Sequence, residues 1–471
     1  MSTAIVWFRR DLRLDDNGAL RAALDAHDRI VPLYIDAPDE EAPWAPGAAS
    51  RWWLHHALAA LADRLAERGA ALHRLRGPTL DALRTAIQSS GAVAVYAQRR
   101  YEPIVAARDR RVGDALARDG IVMHLVGGAL LTEPHAVATG AGTPYRVFTP
   151  YWRAARALLQ PRKPWTAPLR LPGAAMTGSL PLEAFGLLPS IRWDAGFDAA
   201  WQPGEAGAQQ SLADFLGAPL REYAEARDRP DQVGTSRLSP HLHFGEISPN
   251  QVAHAVMRSA ADLGAGARQA AEAYLRELGW RDFSQYLLHH NPTMADRPLD
   301  PRFERFAWVP RDHHAQRRWQ QGLTGIPIVD AGMRELWTTG WMHNRVRMLV
   351  ASFLTKNLRQ HWLDGARWFW DTLVDADLAN NSQGWQWTAG CGVDAAPYFR
   401  IFNPVTQGLK FDPHGHYVRR WIPELAGIAA PLVHQPWHDP DLLARSGYPA
   451  PLVDLGESRA AALAAWKSLG G

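Results

Sequence analysis

The sequence predicts an α/β domain with a doubly wound parallel sheet, followed by a second domain that is mostly α-helical. Three observations carry that reading. The chain has 471 residues, 47% of them hydrophobic, enough apolar material for more than one core. Over the first 125 residues short continuous apolar runs alternate with helical patterns. Beyond residue 205 the strand signals fade and helical periodicity takes over.

Taken in order, Ala4–Phe8, Ile30–Ile35, Ala92–Tyr96 and Ile121–Leu125 read as buried parallel strands, because they are continuously apolar rather than alternating. Between them Trp53, Leu54, Ala57, Leu58, Leu61 and Leu65 recur at helical spacing, and Pro78 is placed to open a further helix. Open sheets of this kind bind ligands at the carboxyl ends of their strands. No Gly-x-Gly-x-x-Gly follows a strand, however, so an ordinary dinucleotide site is not expected in this domain. From 131 to 204 prolines accumulate, which marks a connector wrapped over the surface with one short helix around Tyr151–Leu159. Helical patterns then follow at Ala270–Leu288, Ile328–Thr339, Asn344–Leu358, Ala366–Leu373 and Glu457–Leu469. The expected divisions are 1–130, 131–204 and 205–471.

Composition narrows the function classes. Basic and acidic residues nearly balance, 51 against 48, which permits a local basic face toward a polyanion without demanding one. No apolar run reaches the roughly 18 residues of a membrane span, and Met1–Arg13 has no apolar signal core. A cytoplasmic, monomeric protein is the expectation. Cys391 is the single cysteine, so neither a disulfide nor a thiolate metal cluster is expected, and no metal site is assigned. The 21 tryptophans are the unusual number, most of them after residue 275. Indoles fill cores, stack on nucleobases or, when close together, pass electrons, and composition does not choose among these.

Several groups have the residue types that chemistry requires. Thr235, Ser236 and Ser239 offer hydroxyls and backbone amides in a turn leading to a helix, a neutral donor cluster suited to a pyrophosphate; such a string is otherwise an N-cap. Asp375, Asp377 and Asn381 lie close together, the last two on one helical face, with Arg347 available to one carboxylate. Glu277, Trp280 and Arg281 stand at i, i+3 and i+4, presenting an acid, an indole and a cation together. Asn344 and Met348 are one turn apart, with Arg345 beside them.

The string VWFRRDLRLDDN at 6–17 resembles the opening signature of the photolyase and cryptochrome family. Five further blocks follow in that family's order: GTSRLSP (234–240), RELGWRDF (276–283), GWMHNRVRM (340–348), DADLANNSQGWQW (375–387) and DAAPYFRIFNP (394–404). Their details are most similar to bacterial enzymes of class I type that repair cyclobutane pyrimidine dimers. The resemblance implies a Rossmann-like antenna domain and a helical FAD-binding domain. It assigns FAD, reduced and anionic when active, to Tyr223, Thr235, Ser236, Leu238, Ser239, Tyr274, Glu277, Arg281, Asn344, Arg347, Asp375, Asp377 and Asn381. Glu277, Trp280, Met348 and Trp387 would hold the dimer, and Asn381 would face the flavin ring where plant-type cryptochromes carry Asp. Trp385, Trp362 and Trp308 match a relay of electrons from the surface to the flavin. UV-damaged DNA is the implied partner, met by Arg227, Trp280, Asn344, Arg345, Trp387, Arg400 and Lys410.

Two points depart from the pattern or divide the family. Where folate-binding members carry an Asn-Glu pair, this chain has Ile104 and Val105, so a folate antenna of that type is not expected. The antenna is left open between a deazaflavin, another chromophore and none. Enzymes acting on (6-4) photoproducts carry paired histidines near GWMHNRVRM; here His343 is followed by Asn344, which favours dimer repair. A blue-light photoreceptor is the second reading, disfavoured by Asn381 and by the short C-terminus.

Overall fold

The structure, a computed structural model, describes residues 1–394 and 399–469; Ala395–Tyr398, within the DAAPYFRIFNP block, lie outside the described residues. Among the described residues five parallel strands form one sheet: β1 (Thr3–Phe8), β2 (Arg29–Asp36), β3 (His73–Arg76), β4 (Ala94–Gln98) and β5 (Val122–Val126), in the order β3-β2-β1-β4-β5. The helices α1 (Gly18–Ala26), α2 (Ala48–Ala66), α3 (Thr79–Ser90) and α4 (Pro103–Arg118) cover both faces. β1 is apolar throughout because its residues serve two cores in turn. Ala4, Val6 and Phe8 join Leu20, Trp53 and Leu58 of α1 and α2, while Ile5 and Trp7 join Leu83 and Leu116 of α3 and α4.

Two strands correct the sequence reading. β3 was not expected, because its sequence HRLR buries only His73 and Leu75 at the sheet's edge. β5 was expected to be buried, but it is the opposite edge strand, paired only with β4, and Val122 is 56% exposed.

The connector touches both halves of the chain. Ala174 N donates to Ile30 O and Leu180 N to Arg74 O, both at 2.8 Å, which lays it along the β2 and β3 side of the sheet. Its helix α5 (Phe148–Leu158) sits where expected and packs on the helix Ala265–His290. There Gly279 meets Trp152 so closely that a Cβ would lie 2.3 Å from the indole.

The helices Pro327–Thr339, Asn344–Ser352, Trp362–Thr372 and Leu378–Ala389 share one apolar core with Ala265–His290, on which Leu378–Ala389 packs directly. The expected helix to Leu358 changes at Phe353–Asn357 into a π turn. That turn aims the buried Lys356 at Ala389 O (2.7 Å), so its Nζ donates to the C-terminal end of the helix Leu378–Ala389.

The string at 9–17 fastens the two domains. Leu12 N donates to Phe244 O (3.1 Å), Arg13 Nη1 to Gly245 O (2.8 Å), and Ser248 Oγ to Asp16 (2.5 Å). Glu205 accepts from Leu14 N and Asp15 N. Gly245 is required at this seam: its φ is +66° and a Cβ would lie 2.0 Å from Arg10 O. Gly245→Ala is therefore expected to lower the unfolding free energy by about 2 kcal/mol or more in urea titrations. An unchanged midpoint would show that the seam tolerates separation.

Candidate functional site

The turn GTSRLSP leads into the short helix Ser239–Phe244. Ser239 Oγ donates to Asp375 Oδ2 (2.6 Å), and Arg347 Nη2 donates to the same oxygen (2.8 Å). Trp341 Nε1 donates to Ser239 Oγ (3.3 Å). Asp375 is buried, and its other oxygen has no partner among the described residues. A buried carboxylate oxygen without a donor is costly, so this atom fits a donor group on a ligand. Beside it, Tyr274 donates to Ser236 Oγ (2.9 Å) and packs on Tyr223 with ring centroids 5.1 Å apart. Thr235 is half-buried in the same turn, and Leu238 is buried beneath it.

Asp377 is the N-cap of the helix Leu378–Ala389: Oδ1 accepts from Asn380 N (2.8 Å) and Nδ2 (2.7 Å), and Oδ2 from Gln285 Nε2 (2.9 Å). Burial alone would raise its pKa, but the neighbouring His243 ring, Arg281 and the Asn380 N–H outweigh it and hold the carboxyl below its usual range. His243 is itself pushed down to about 4 by burial and by Arg10. Asn381 stands one turn on and donates through Nδ2 to Ala366 O (2.9 Å). Asp375 and Asp377 therefore do not form one group, as their spacing suggested. Asp375 joins Ser239 and Arg347, whereas Asp377 joins Gln285 and lines a cleft with Arg281.

A second set joins charged and aromatic side chains. Glu277 pairs with Arg227 (2.5 Å), and Arg345 pairs with Asp228 (2.7 Å). Arg345 also lies over the Phe411 ring at 4.5 Å and points Nη1 at the Met348 sulfur (3.8 Å). Lys410 lies over the same ring at 5.1 Å. Trp280 stacks on Phe148 at 3.7 Å, and Trp387 donates to Asp394 O while facing Phe402, over which Arg400 lies at 6.0 Å. Asn344, Arg400 and Lys410 are exposed. The structure thus brings Glu277, Met348 and three of the expected DNA contacts together. Arg227 and Arg345, two of the expected phosphate contacts, are each held by a carboxylate in this structure.

Trp385 and Trp362 are buried and Trp308 is half-buried. The His361 ring lies against both outer indoles, 5.1 Å from Trp308 and 5.8 Å from Trp362. Gly365 was not singled out from the sequence, yet a Cβ there would sit 2.1 Å from the Trp385 ring. Its absence lets that indole lie on the helix Trp362–Thr372; glycine three residues after a tryptophan was the available signal.

Between the domains, at the carboxyl ends of β1 and β4 where the strand order reverses, is a cleft lined by Arg10, Arg100, Glu102, Arg281 and Asp377. A neighbouring cleft includes Ile104 and Val105, the residues that replace the Asn-Glu pair, together with Glu41, Glu102, Trp44 and Trp370. The carboxylates Glu41 and Glu102 were missed, because nothing in their local sequence separates them from surface acids. Among the described residues no group of three or more His, Cys, Asp or Glu is arranged to hold a metal ion, and no helix is long and apolar enough to cross a membrane.

Two family models match the chain, "DNA photolyase" over residues 4–169 and "FAD binding domain of DNA photolyase" over 274–468. A deoxyribodipyrimidine photo-lyase of Agrobacterium fabrum is 44% identical over 99% of this chain and 98% of its own. Cryptochrome-1 of Arabidopsis thaliana is 39% identical over 97% of this chain and 69% of its own. The crystal structure of a bacterial class III photolyase from Agrobacterium tumefaciens superposes with a TM-score of 0.95 at 43% identity, covering 100% of this chain and 98% of that one. That class differs from the class I type the motifs suggested.

His343 gives a pH dependence. It is the N-cap of the helix Asn344–Ser352, with Nδ1 accepting from Arg345 N (3.2 Å). Burial, joined by Arg345, Arg347 and Arg227 against the opposing Asp228, pushes it down to about 4 from 6.5. The unfolded chain then binds the proton more tightly, so stability is full above pH about 6.5 and falls as the pH drops toward about 4. His343→Asn keeps a capping acceptor and removes the titration. Its urea stability is expected to decline less than that of the wild type between those pH values, by up to about 3 kcal/mol. Parallel profiles would contradict the buried neutral ring.

Proposed function

The chain belongs to the photolyase and cryptochrome family, and on that premise we propose that it is a deoxyribodipyrimidine photo-lyase that reverses cyclobutane pyrimidine dimers in DNA. The observation that carries this reading is the cluster in which Glu277 pairs with Arg227, Arg345 reaches both Asp228 and Met348, and a separate group joins Ser239, Arg347 and Asp375. A light-independent flavin protein would need the second group and not the first.

The residues present fit FAD. The orphaned oxygen of Asp375, the hydroxyls of Ser236 and Ser239 and the guanidinium of Arg347 are a donor and acceptor set for a polar cofactor. FAD, when bound in its reduced form, supplies the photoexcited electron that splits the dimer and is afterwards recovered. Asn381 contributes a neutral amide, since a carboxylate in its place would repel an anionic ring or give up a proton to it. Glu277 accepts hydrogen bonds from the bases of a flipped-out dimer, Trp280 and Trp387 offer it aromatic walls, and Arg227, Arg345, Arg400 and Lys410 meet phosphates. Trp308, Trp362 and Trp385 carry electrons inward from the surface. His343 is a buried, neutral N-cap, which leaves the acid required for (6-4) chemistry without an obvious source.

A blue-light photoreceptor is the second reading, favoured by the 39% identity to Cryptochrome-1 of Arabidopsis. The two are separated by incubating reduced protein with oligonucleotides that carry either a thymine cyclobutane dimer or a (6-4) photoproduct and counting restored thymines. Light-dependent repair of the cyclobutane substrate alone is expected; no repair of either, with FAD bound, would favour the photoreceptor. Glu277→Ala is expected to lower dimer repair about tenfold or more, the loss of one charge-assisted hydrogen bond of about 1.5 kcal/mol. Trp308→Phe is expected to block photoreduction of oxidised FAD and to spare repair by chemically reduced protein. Loss of both activities would contradict the separate roles.

A further inference from the structure

Four charged side chains of alternating sign form one chain of ion pairs: Glu277, Arg227, Asp228 and Arg345. Arg227 Nη1 lies 2.5 Å from Glu277 Oε1, and its Nε lies 4.0 Å from Asp228 Oδ1. The same Asp228 oxygen lies 2.7 Å from Arg345 Nη2. All four are partly open to solvent, between 20% and 35% exposed. Their formal charges cancel, although Arg227 and Arg345 are two of the cations expected to meet phosphates. Glu277 has its own task in the pocket, but Asp228 has none assigned. Among the described residues Asp228 accepts no backbone hydrogen bond, so neither a helix cap nor a turn requires its carboxylate.

We propose that Asp228 is an electrostatic brake on DNA binding: in the free protein its carboxylate occupies the guanidinium position of Arg345 that a backbone phosphate takes in a complex, and lies close enough to Arg227 to offset its charge. The inference rests on duplex DNA being the partner. Affinity for any duplex rises with the number of phosphates that free cations neutralise, and it falls with salt by a slope of about −0.9 per phosphate. A guanidinium already neutralised by a carboxylate adds little to that attraction until a phosphate displaces its partner. The pairs are partly open to solvent, so displacement is achieved and the carboxylate acts as a brake rather than a block. Arg345 stays poised meanwhile, because Phe411 supports its planar face independently of Asp228. The product of dimer reversal is intact DNA, so a carboxylate that weakens the grip on intact DNA also speeds release.

The test measures binding of the flavin-loaded full chain to an undamaged duplex across a series of salt concentrations. Asp228→Asn is expected to tighten binding about fivefold at low salt and to steepen the slope of log Kd against log salt by about one. Asp228→Glu, which keeps the charge, is expected to retain the wild-type slope. Asp25→Asn, a surface carboxylate of α1 paired with Arg21, makes the same charge change in the first domain and is expected to move Kd less than about twofold. No tightening by Asp228→Asn, an equal effect from Asp25→Asn, or an Asp228→Glu variant that behaves like Asp228→Asn would overturn the brake. Repair by the wild type is read separately. Repair without an Asp228 effect sinks the brake alone; an Asp228 effect without repair supports the brake and sinks the repair reading.

Discussion

The carboxylate of Asp377 is the interaction on which the rest of the site depends. It caps the helix Leu378–Ala389 through Asn380, accepts from Gln285 on the helix Ala265–His290, and faces His243, whose ring meets Arg10 of the first domain. An N-cap fixes where a helix begins and therefore where each side chain along it points. Asn381 and Trp385 follow Asp377 at four and eight residues, so one cap sets the facing of the amide and of the inner indole together. Lys356 fixes the other end of the same helix by donating to Ala389 O. A helix held by polar contacts at both ends can carry buried indoles in one register without relying on apolar packing alone.

The two domains meet through polar contacts of the same kind. The string at 9–17, so recognisable in the sequence, does most of its work as a fastener: Arg13 reaches Gly245, Asp16 accepts from Ser248, and the Leu14 and Asp15 amides donate to Glu205. Such contacts gain little net free energy over hydration, but they are expensive to leave unmade once buried, so they specify one docking geometry. That geometry leaves a cleft at the carboxyl ends of β1 and β4, beside the residues that hold Asp377.

Much of this was legible in the sequence, for physical reasons. β1, β2, β4 and the major helices were readable because continuous apolar runs and helical periodicity report burial, while β5 was readable from its apolar run although it is a largely open edge strand. β3 was hidden, since HRLR at a sheet edge needs only two buried side chains. The π turn at Phe353–Asn357 was hidden because its residues are as apolar and helix-compatible as those before it; what differs is the long-range reach of Lys356. Motif spacing correctly paired Arg347 with a carboxylate, but it merged Asp375 with Asp377, which a turn and an N-cap direct toward different partners. The pairing of Arg227 and Arg345 with Glu277 and Asp228 lay beyond the sequence entirely, because Glu277 is 50 residues from Arg227 and ion pairing follows tertiary contact.

The proposal that Glu277, Trp280 and Trp387 together receive an extrahelical pyrimidine dimer is the centre of the account. It is tested most directly by a crystal structure of the reduced, flavin-loaded protein with a duplex containing a cyclobutane thymine dimer. The dimer is expected outside the helical stack, between the two indoles, with Glu277 turned from Arg227 to the base edges and phosphates against Arg345. A dimer still stacked within the duplex, or bound with the Glu277–Arg227 pair intact, would contradict the account.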